Sequence, residues 1–381
     1  YLLALIVLCS LVAEAKKGLD IHVFNVGQAD SQLIVFPSGY SILVDAGEMR
    51  TGTLNCKVIA KRIEEILGKK HVDVAVLTHL HMDHLGMPLK NGFWYLMEKA
   101  GITFGKFIDR DSGYMKSGAS QCATVEDIEW HNIGTYSATA VRWVCYFSNP
   151  NVNSKVRGIR EVAVPCSNQI NPPDEGAKVE IIVSDAQGIK DSNGQPITGD
   201  HFREDKRPSE NDYSISLRIQ YGEFVYSTSG DLDGQVETSP FGYMYHNIET
   251  PYKDMVGNVD LYHANHHGSS HSNNAEWLGV LQPTVSIISC GQGNSYGHPS
   301  ELAVTNMNKY SKKIYLTQDC NPQVTDKFSK TKVVNDEIIV HYPLNALNFY
   351  VSDAKGTFNT AYPIKKNKPG RKPCGDRKSV V

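Results

Sequence analysis

Four side chains that can bind a metal lie within six residues, directly after an apolar run. The segment Thr78–Gly86 reads THLHMDHLG, and its candidate ligands are His79, His81, Asp83 and His84. Imidazole and carboxylate together suit Zn²⁺ or a similar first-row ion. The spacing lets His79 and His81 share one ion while Asp83 and His84 turn toward a second. A lone His is usually an ordinary polar residue, but this density predicts a metal site.

Two later segments offer further ligands. Asp231 follows Ser229-Gly230 at the end of a strand-like run, where its carboxylate could bridge two ions. His266 and His267 follow another strand-like run and offer imidazole to the second ion. Alone, a strand-end Asp is commonly a turn former, and clustered His can be part of a surface. Their order behind the first motif makes them candidates for the same site.

The apolar patterns predict which elements position these side chains. In the first part of the chain we expect strands near 20–26, 31–36, 40–45 and 72–77, a hairpin turn at Pro37-Ser38-Gly39 and a helix over 56–67. In the second part we expect strands near 178–184, 214–220, 223–228, 260–264, 284–289 and 313–317 and a helix near 300–310. Each ligand segment then follows a strand, within two similar β-rich halves.

Composition excludes two classes of protein. The chain has 381 residues, 41% of them hydrophobic and 21% charged, which is enough for a large core and excludes an intrinsically disordered protein. Lys and Arg number 38 against 41 Asp and Glu, a formal net charge of −3. A protein that coats DNA by electrostatics alone is therefore excluded.

The N-terminal segment predicts secretion. Residues 1–13 read YLLALIVLCSLVA, without charge, and Ala13-Glu14-Ala15 has the small-x-small spacing of a cleavage site. We interpret residues 1–15 as part of a signal peptide; a buried N-terminal helix is the alternative. The run is shorter than the ~20 residues that a membrane span needs, and no later segment is long and apolar enough. We expect a secreted, extracellular protein without a stable membrane span.

The cysteines predict disulfides of a secreted protein. Of eight cysteines, Cys9 lies in the predicted signal peptide, which leaves seven. Cys290 and Cys320 each end a strand-like run and are the first candidate pair. Another bridge is expected among Cys122, Cys145 and Cys166. Because seven is odd, at least one thiol stays free or pairs between chains, and no CxxC spacing indicates a zinc site.

The remaining segments set the expected domain organisation. Residues 110–177 are rich in Ser, Asn, Gly and Pro and are interpreted as an irregular insertion in a hydrolase domain that spans 16–364. Residues 365–381 carry seven basic side chains and one acid. Such a run is most often a solvated tail, and the alternative is a segment that docks a polyanion.

Several motifs together resemble the metallo-β-lactamase superfamily and, more narrowly, the hydrolase domain of ComEC-type competence proteins. The resemblance spans roughly residues 19–320, with 110–177 unmatched. The matching stretches are Phe24–Ser31, Val44–Gly47, His79–Gly86, Ser229–Leu232, His266–Ser269 and Asn294–Pro299.

The resemblance implies a fold and a set of roles. It implies an α/β protein with the metallo-β-lactamase-like αββα sandwich, in which two facing mixed β-sheets are flanked by helices. Two divalent metal ions are implied, Zn²⁺ first and Mn²⁺ as the alternative. The implied ligands are His79 and His81 for the first ion, Asp83, His84 and His267 for the second, and Asp231 as the bridge. Asp45 would orient a ligand imidazole through a hydrogen bond.

This chain departs from the superfamily pattern at one point. Many members carry a further His before the bridging Asp, where this chain has Ser209-Glu210-Asn211-Asp212-Tyr213. ComEC-type domains also have Asn-rich sequence there. The first ion would then be weakly held, or coordinated by Asn211, Asp212 or water.

The expected reaction is hydrolysis of a phosphodiester. Two metal ions lower the pKa of a bridging water so that hydroxide forms near neutral pH, and they clamp a substrate oxygen. Candidates for contact with the substrate or for proton transfer are Asp83, His266 and His298, with His271 as a further imidazole. Ordinary loop polarity is the alternative for the three histidines.

Three functions remain open. The first is a secreted, metal-dependent phosphodiesterase or nuclease that acts on extracellular DNA or RNA. The second is a secreted metallo-hydrolase of a smaller ester, such as a phosphocholine-type phosphodiester, a lactone or a thioester. The near-neutral charge favours the second, because a processive nuclease would normally show a basic groove lined with aromatics. The third is a non-catalytic protein that keeps metals for stability, against which the intact ligand positions argue.

Overall fold

Two large β-sheets face each other in the computed structural model, and helices cover their outer faces. The structure describes residues 18–49, 54–116, 122, 124–134, 137–148 and 158–374. The predicted signal peptide and the last seven residues of the basic tail lie outside this part of the chain. The arrangement is the αββα sandwich expected from the sequence.

The first sheet has nine strands and mixes both directions. Its strand order is β21-β20-β19-β1-β2-β3-β4-β5-β8. Pairing is antiparallel from β21 to β3 and parallel from β3 to β8. The strands are β1 (Gly18–Val23), β2 (Gln32–Val35), β3 (Ser41–Val44), β4 (His71–Leu77), β5 (Thr103–Asp109), β8 (Ile159–Val162), β19 (Ile338–Pro343), β20 (Asn348–Asp353) and β21 (Asn359–Pro363).

The second sheet has seven strands in the order β18-β17-β16-β15-β12-β11-β9. Pairing is antiparallel between β9, β11 and β12 and parallel from β12 to β18. The strands are β9 (Ala177–Val183), β11 (Ser216–Tyr221), β12 (Phe224–Thr228), β15 (Leu261–His263), β16 (Val285–Ile288), β17 (Lys313–Leu316) and β18 (Thr331–Val333).

Smaller elements complete the fold. A three-stranded sheet contains β10 (Arg207–Pro208), β13 (Glu237–Thr238) and β14 (Tyr243–Tyr245), and a two-stranded sheet contains β6 (Gly113–Met115) and β7 (Ile128–Trp130). The helices are α1 (Leu54–Leu67), α2 (Met82–Leu85), α3 (Gly92–Glu98), α4 (Ala138–Ser148), α5 (Glu249–Val256), α6 (Ala275–Leu281), α7 (Glu301–Tyr310) and α8 (Pro322–Thr325). Short 3-10 helices cover Val125–Asp127, Glu210–Tyr213 and Asn265–Gly268.

Three apolar clusters hold the layers together. The largest lies between the sheets and includes Ile21, Val76 and Leu217. A second lies under α1, α3 and α4 and is rich in aromatic rings, with Trp94 and Trp143 fully buried. A third lies between the second sheet and α5, α6 and α7. Burial of apolar surface on both faces of each sheet accounts for the near-continuous apolar sequences of the central strands.

The predicted strands and helices form within two residues of their expected bounds, except that β1 ends at Val23, three residues before the predicted end. At the hairpin between β2 and β3, the N–H of Phe36 donates to the carbonyl of Tyr40, and Gly39 takes the left-handed conformation that the turn requires. Several elements were not predicted, among them β5, the three-stranded sheet, β18, α5 and α6, and two of the differences change the organisation of the chain. The chain returns to the first sheet in β19, β20 and β21, and the stretch 110–177 contains regular elements in β6, β7, α4 and β8.

The described part of the basic tail, residues 365–374, differs from the expectation of a solvated segment. Lys368 Nζ lies 2.8 Å from an oxygen of buried Asp260, and Arg371 contacts Glu180. Residues 365–374 therefore pack against the second sheet, because buried carboxylates there compensate their charge.

Three disulfides are present in the described residues. Cys290–Cys320 is the predicted pair, and Cys122–Cys145 is the bridge expected within the insertion. Cys166 pairs with Cys374, which the sequence did not suggest because 208 residues separate them. Cys56 is buried in α1 and belongs to none of the three.

Candidate metal centre

The candidate ligands follow the carboxyl ends of parallel strands in both sheets. Asp45 follows β3 and His79 follows the adjacent β4, while Asp231 follows β12 and His267 follows the adjacent β15. The N–H of Ile215 donates to the carbonyl of Thr78 and joins the two sheets beside the site. Carboxyl ends of neighbouring parallel strands meet at one edge, where ligands commonly bind in α/β proteins.

Tight backbone geometry brings the segments together. Gly230 has a φ of +53°, and a Cβ there would lie 2.5 Å from Thr78 Oγ1. His266 and His267 take φ values of 51° and 52°, a left-handed conformation that is costly for residues with a Cβ. Such strain is retained only where the surrounding structure imposes it, and here it turns both rings toward Asp231.

The six residues proposed as ligands form two groups that share one side chain. We call Asp83, His84, Asp231 and His267 the four-residue group, and His79, His81 and Asp231 the three-residue group. Within each group, one ligand atom per residue lies within 4.8 Å of the others. In the four-residue group, His84 Nε2 lies 3.0 Å from Asp231 Oδ1 and His267 Nε2 lies 3.3 Å from Asp83 Oδ2. In the three-residue group, His79 Nε2 lies 3.8 Å from Asp231 Oδ2.

The four-residue group fits a cation. His84 Nε2, His267 Nε2 and Asp231 Oδ1 are buried and have no hydrogen-bond partner of good geometry. Buried polar atoms are rarely left in this state. These three converge on one volume, and imidazole nitrogens and carboxylate oxygens are the donors that Zn²⁺ and similar ions take. The residues present therefore fit a divalent metal ion.

The electrostatics of the four-residue group also favour a bound cation. Burial raises the pKa of the Asp231 carboxyl, but His84, His266 and His267 outweigh it and hold the pKa well below its usual value. Burial lowers the pKa of His267, while Asp231 and Asp83 raise it to about 9. Positive charge at this point therefore stabilises the ionised carboxylates, and a metal ion would supply such charge.

Buried acceptors orient both imidazoles of the four-residue group. His84 Nδ1 lies 2.7 Å from Asp45 Oδ2, and Asp45 in turn accepts from the N–H and the hydroxyl of Thr78. His267 Nδ1 lies 2.8 Å from the carbonyl oxygen of Ser289. Each contact leaves Nε2 free to face the group, which is how carboxylates and carbonyls orient ligand histidines. Asp45 thus lies where it can orient the imidazole of His84, and its role in metal binding stays a prediction.

The loop of the three-residue group is held by a long-range ion pair. Arg110 is fully buried and donates two hydrogen bonds to the carboxylate of Glu210. Glu210 Oε1 also accepts from the N–H of Leu80, between His79 and His81. Burial lowers the pKa of His79 well below its ordinary value, with His84 adding to the effect. His79 is thus neutral, as a ligand must be.

Asn211 and Asp212 take different places at the position of the missing histidine. Asn211 lines the cavity above the two groups, and its Oδ1 is buried without a hydrogen-bond partner. Asp212 does not line it, because its carboxylate accepts from the N–H of Ser209 and contacts His246 Nδ1 at 2.8 Å. Of the two, only Asn211 is placed to contact an ion or a substrate.

The candidate proton-transfer histidines lie at the rim. His266 Nδ1 is 3.0 Å from Asp233 Oδ1, and its Nε2 is 3.7 Å from Asp231 Oδ2. His298 Nδ1 is 3.3 Å from Gln28 Nε2. Burial, with His266 and His267, lowers the pKa of His298 to about 2. His298 is therefore neutral at neutral pH, which suits hydrogen bonding to a substrate better than donation of a proton.

An open cavity of about 400 Å³ lies over the two groups and has an aromatic rim. Phe241 and Tyr296 are 77% and 58% exposed. Tyr245 stacks on His271 with ring centroids 4.2 Å apart. Among the described residues that line the cavity, none is Lys or Arg. The basic groove expected of a processive nuclease is absent from this part of the chain, whereas the aromatic surface is present.

Sequence reasoning missed several residues of this site. Asp233 had a signal, since it is a second carboxylate only two residues after Asp231. Phe241, Tyr243 and Tyr245 had a weaker one, the alternation of aromatic residues in a short strand. Arg110 and Glu210 had none, because their pairing joins positions 100 residues apart.

No protein-family model matches the chain. A curated relative, ComE operon protein 3 of Bacillus subtilis (strain 168), is 28% identical over 109 residues, which are 29% of this chain and 13% of that protein. The chain therefore matches only a small part of that relative's length. This match supports the resemblance to ComEC-type proteins.

Solved structures with a similar fold include the following two. A diphosphatase from the PhnP family has a TM-score of 0.38 and 12% sequence identity, with 86% of this chain and 98% of that chain covered. A long-form RNase Z from yeast has a TM-score of 0.32 and 14% identity, with 86% of this chain and 42% of that chain covered. In the described residues, no helix is long and apolar enough to cross a membrane.

Proposed function

We propose that the protein is a metal-dependent phosphodiesterase that cleaves nucleic acid, with single-stranded DNA or RNA as its substrate. The observation that carries this proposal is the pair of His/Asp groups that share Asp231 at the floor of an open, aromatic-rimmed cavity. When bound, two divalent ions would activate water and stabilise negative charge on a phosphoryl oxygen. Phosphodiesters suit this chemistry because the transferred group is already anionic.

The chain's own residues would bind and orient the substrate. His298 lines the cavity and is held by Gln28. Asn211 also lines the cavity, and its amide oxygen is buried without a hydrogen-bond partner. His266 is held by Asp233 through Nδ1, and burial lowers the pKa of its imidazole, so its ring is placed to hydrogen-bond a departing oxygen. Exposed aromatic rings bind bases by stacking, so Phe241 and Tyr296 favour unpaired strands over a duplex.

A second candidate is hydrolysis of a small phosphodiester of the phosphocholine type. Two observations favour it: no Lys or Arg belongs to the described lining, and aromatic faces attract quaternary ammonium groups. The resemblance to ComEC-type domains and the open cavity favour nucleic acid. We also propose that the protein acts outside the cell, which the three disulfides support.

The test is a substrate panel with the purified protein in Zn²⁺ or Mn²⁺. We expect cleavage of single-stranded DNA or RNA, slower cleavage of duplex DNA, and loss of activity in EDTA and in His81→Ala. Bis(p-nitrophenyl) phosphate reports the metal-dependent reaction alone. Hydrolysis of a phosphocholine ester with all nucleic acids left intact would replace the first candidate with the second. Lack of activity on every ester, with metal-dependent stability retained, would favour a non-catalytic metal protein.

A further inference from the structure

A second cavity of about 520 Å³ adjoins the metal cavity, and its described lining contains no charged side chain. Gln28, Met49 and Tyr296 line both cavities and form the boundary between them. We infer that this second cavity is a nucleobase subsite, which binds the unpaired base next to the phosphodiester held at the metal centre. The inference rests on the proposed function, whose substrate it specifies.

The chemistry of the walls selects an uncharged, hydrogen-bonding occupant. Six amide side chains line the cavity: Asn25, Gln28, Asn55, Gln292, Asn294 and Gln318. The amide of Gln292 presents an open donor and acceptor side by side, and that of Asn25 an open donor, which matches the edges of nucleobases. The other four amides make hydrogen bonds within the protein. A quaternary ammonium would need carboxylates or several aromatic faces, and a phosphate would need cations. The described lining supplies neither set.

The cavity is preformed. Gln318 Nε2 donates to Asn25 Oδ1 at 2.7 Å, and Gln28 Oε1 accepts from the N–H of Gly291. These bonds tie the loop after β1 to the loops after β16 and β17. The Cys290–Cys320 disulfide joins the latter two loops. A site that is already ordered loses less conformational entropy when it binds.

Open hydrogen-bonding capacity remains in the walls. Among the described residues, no hydrogen bond is made by the NH₂ group of Asn25 or by the side-chain amide of Gln292. Gly291 and Gly293 lie in the same loop and carry no side chain to obstruct a ligand. A base entering the cavity would therefore find donors and acceptors that no other described residue occupies.

Tyr296 supplies the stacking surface. Its ring is 58% exposed and lies near-parallel to His298, with centroids 5.6 Å apart. His298 faces the metal groups, so one tyrosine separates the base position from the phosphodiester position. Leu54 and Val58 of α1 line the cavity and are 69% and 43% exposed. A nucleobase bound in the cavity would cover the exposed apolar surface of these two side chains.

The experiment measures binding of an uncharged nucleoside without metal. We expect the fluorescence of 2-aminopurine riboside to be quenched when the protein is added in EDTA, because stacking on Tyr296 quenches that base. Tyr296→Ala removes the stacking surface and should weaken binding about tenfold or more, while Tyr296→Phe keeps the ring and the quenching. Val58→Trp places a bulkier side chain in the cavity from α1 and should also weaken binding. Val164→Trp makes the same change at an exposed valine that lines neither cavity and should bind as the wild type does.

The outcomes separate the subsite from the proposed function. Absence of quenching in the wild type, equal quenching in Val58→Trp, or equal competition by ribose, which has no base, overturns the subsite. Cleavage of oligonucleotides by the wild type is scored independently. If Val58→Trp cleaves bis(p-nitrophenyl) phosphate normally and oligonucleotides poorly, the subsite is supported. If the nucleoside binds but no nucleic acid is cleaved, the subsite stands and the proposed nuclease function falls.

Discussion

The two proposed ligand groups share Asp231 but differ in what surrounds them. In the four-residue group, a buried acceptor outside the group fixes each imidazole, Asp45 for His84 and the Ser289 carbonyl for His267. In the three-residue group, the Nδ1 of half-buried His81 lies 3.0 Å from His79 Nε2, so it contacts another member of the group.

The two groups differ in how many of their rings are oriented by outside partners and in how many carboxylates they contain. The four-residue group has two carboxylates and two oriented rings, whereas the three-residue group has one carboxylate and one ring without an outside partner. Partners of this kind typically change metal affinity about 10–100-fold. We therefore expect one tightly held ion and one weakly held ion, as the missing histidine near Asn211 already suggested.

The largest effect should follow from the shared residue. Asp231→Asn removes the only side chain common to both groups, so both ions should be lost and hydrolysis of bis(p-nitrophenyl) phosphate should fall by about 10³-fold or more. Metal content by mass spectrometry and the rate are the measurements. Asp233→Asn is the matched control two residues away and should retain both ions. Two ions per chain in Asp231→Asn would contradict a shared ligand.

The next effect separates the groups. His81→Ala should leave one tightly bound ion per chain, whereas His267→Ala should remove the tight site and leave weak binding only. Titration of the metal-free protein with Zn²⁺ in competition with a chelator measures both affinities. Equal losses of Zn²⁺ affinity in His81→Ala and His267→Ala would contradict the expected difference between the two groups.

A smaller effect tests the outer partner directly. Asp45→Asn replaces an acceptor with a group that cannot fix the same orientation of His84, so affinity at the tight site should fall about 10–100-fold. Asp20→Asn makes the same change at an aspartate of β1 distant from the groups and should have no effect. An unchanged affinity in Asp45→Asn would mean that packing alone orients His84.

The parts of the molecule that the sequence predicts are those with local causes. The strands near 72–77 and 260–264 were visible as apolar runs, and the dense His/Asp segment after β4 indicated metal binding without the fold. The resemblance proposed that Asp45 orients a ligand imidazole, and the structure brings its carboxylate within 2.7 Å of His84 Nδ1. Periodicity and spacing are read within a dozen residues, so they find such features.

The parts that were missed depend on contacts between distant segments. The Arg110–Glu210 pair, which holds Leu80, joins the end of β5 to a 3-10 helix 100 residues away. The Cys166–Cys374 bridge spans 208 residues. The amide-lined cavity is assembled from loops after β1, β16 and β17 and from α1. No local pattern encodes these pairings, since each partner alone is an ordinary polar residue.

The smallest effect concerns how the two ligand loops are stabilised. The loop of the three-residue group is held by a charge-compensated pair, Arg110 with Glu210. The loop that carries His267 depends instead on Glu249, a fully buried carboxyl that accepts from the N–H groups of Asn273 and Asn274 and from the side chain of Asn265. Burial is the largest influence and raises the pKa of Glu249 from 4.5 to about 7.

This raised pKa predicts a pH dependence of the free energy of unfolding. Between 4.5 and about 7 the folded protein keeps a proton that the unfolded chain has released, so the contribution of Glu249 to stability falls as pH rises through that range and is constant above it. The free energy of unfolding is measured by urea denaturation of the metal-free protein at pH 4.5 and at pH 7. Because Glu249→Gln has no titrating group at this position, its free energy of unfolding relative to the wild type should be about 1–3 kcal/mol higher at the upper pH than at the lower one. Glu276→Gln, at an exposed position of α6, should run parallel to the wild type. If the free energy of unfolding of Glu249→Gln also ran parallel to that of the wild type across this pH range, the three hydrogen bonds would offset the cost of burying the charge. Both ligand loops would then be equally insensitive to pH.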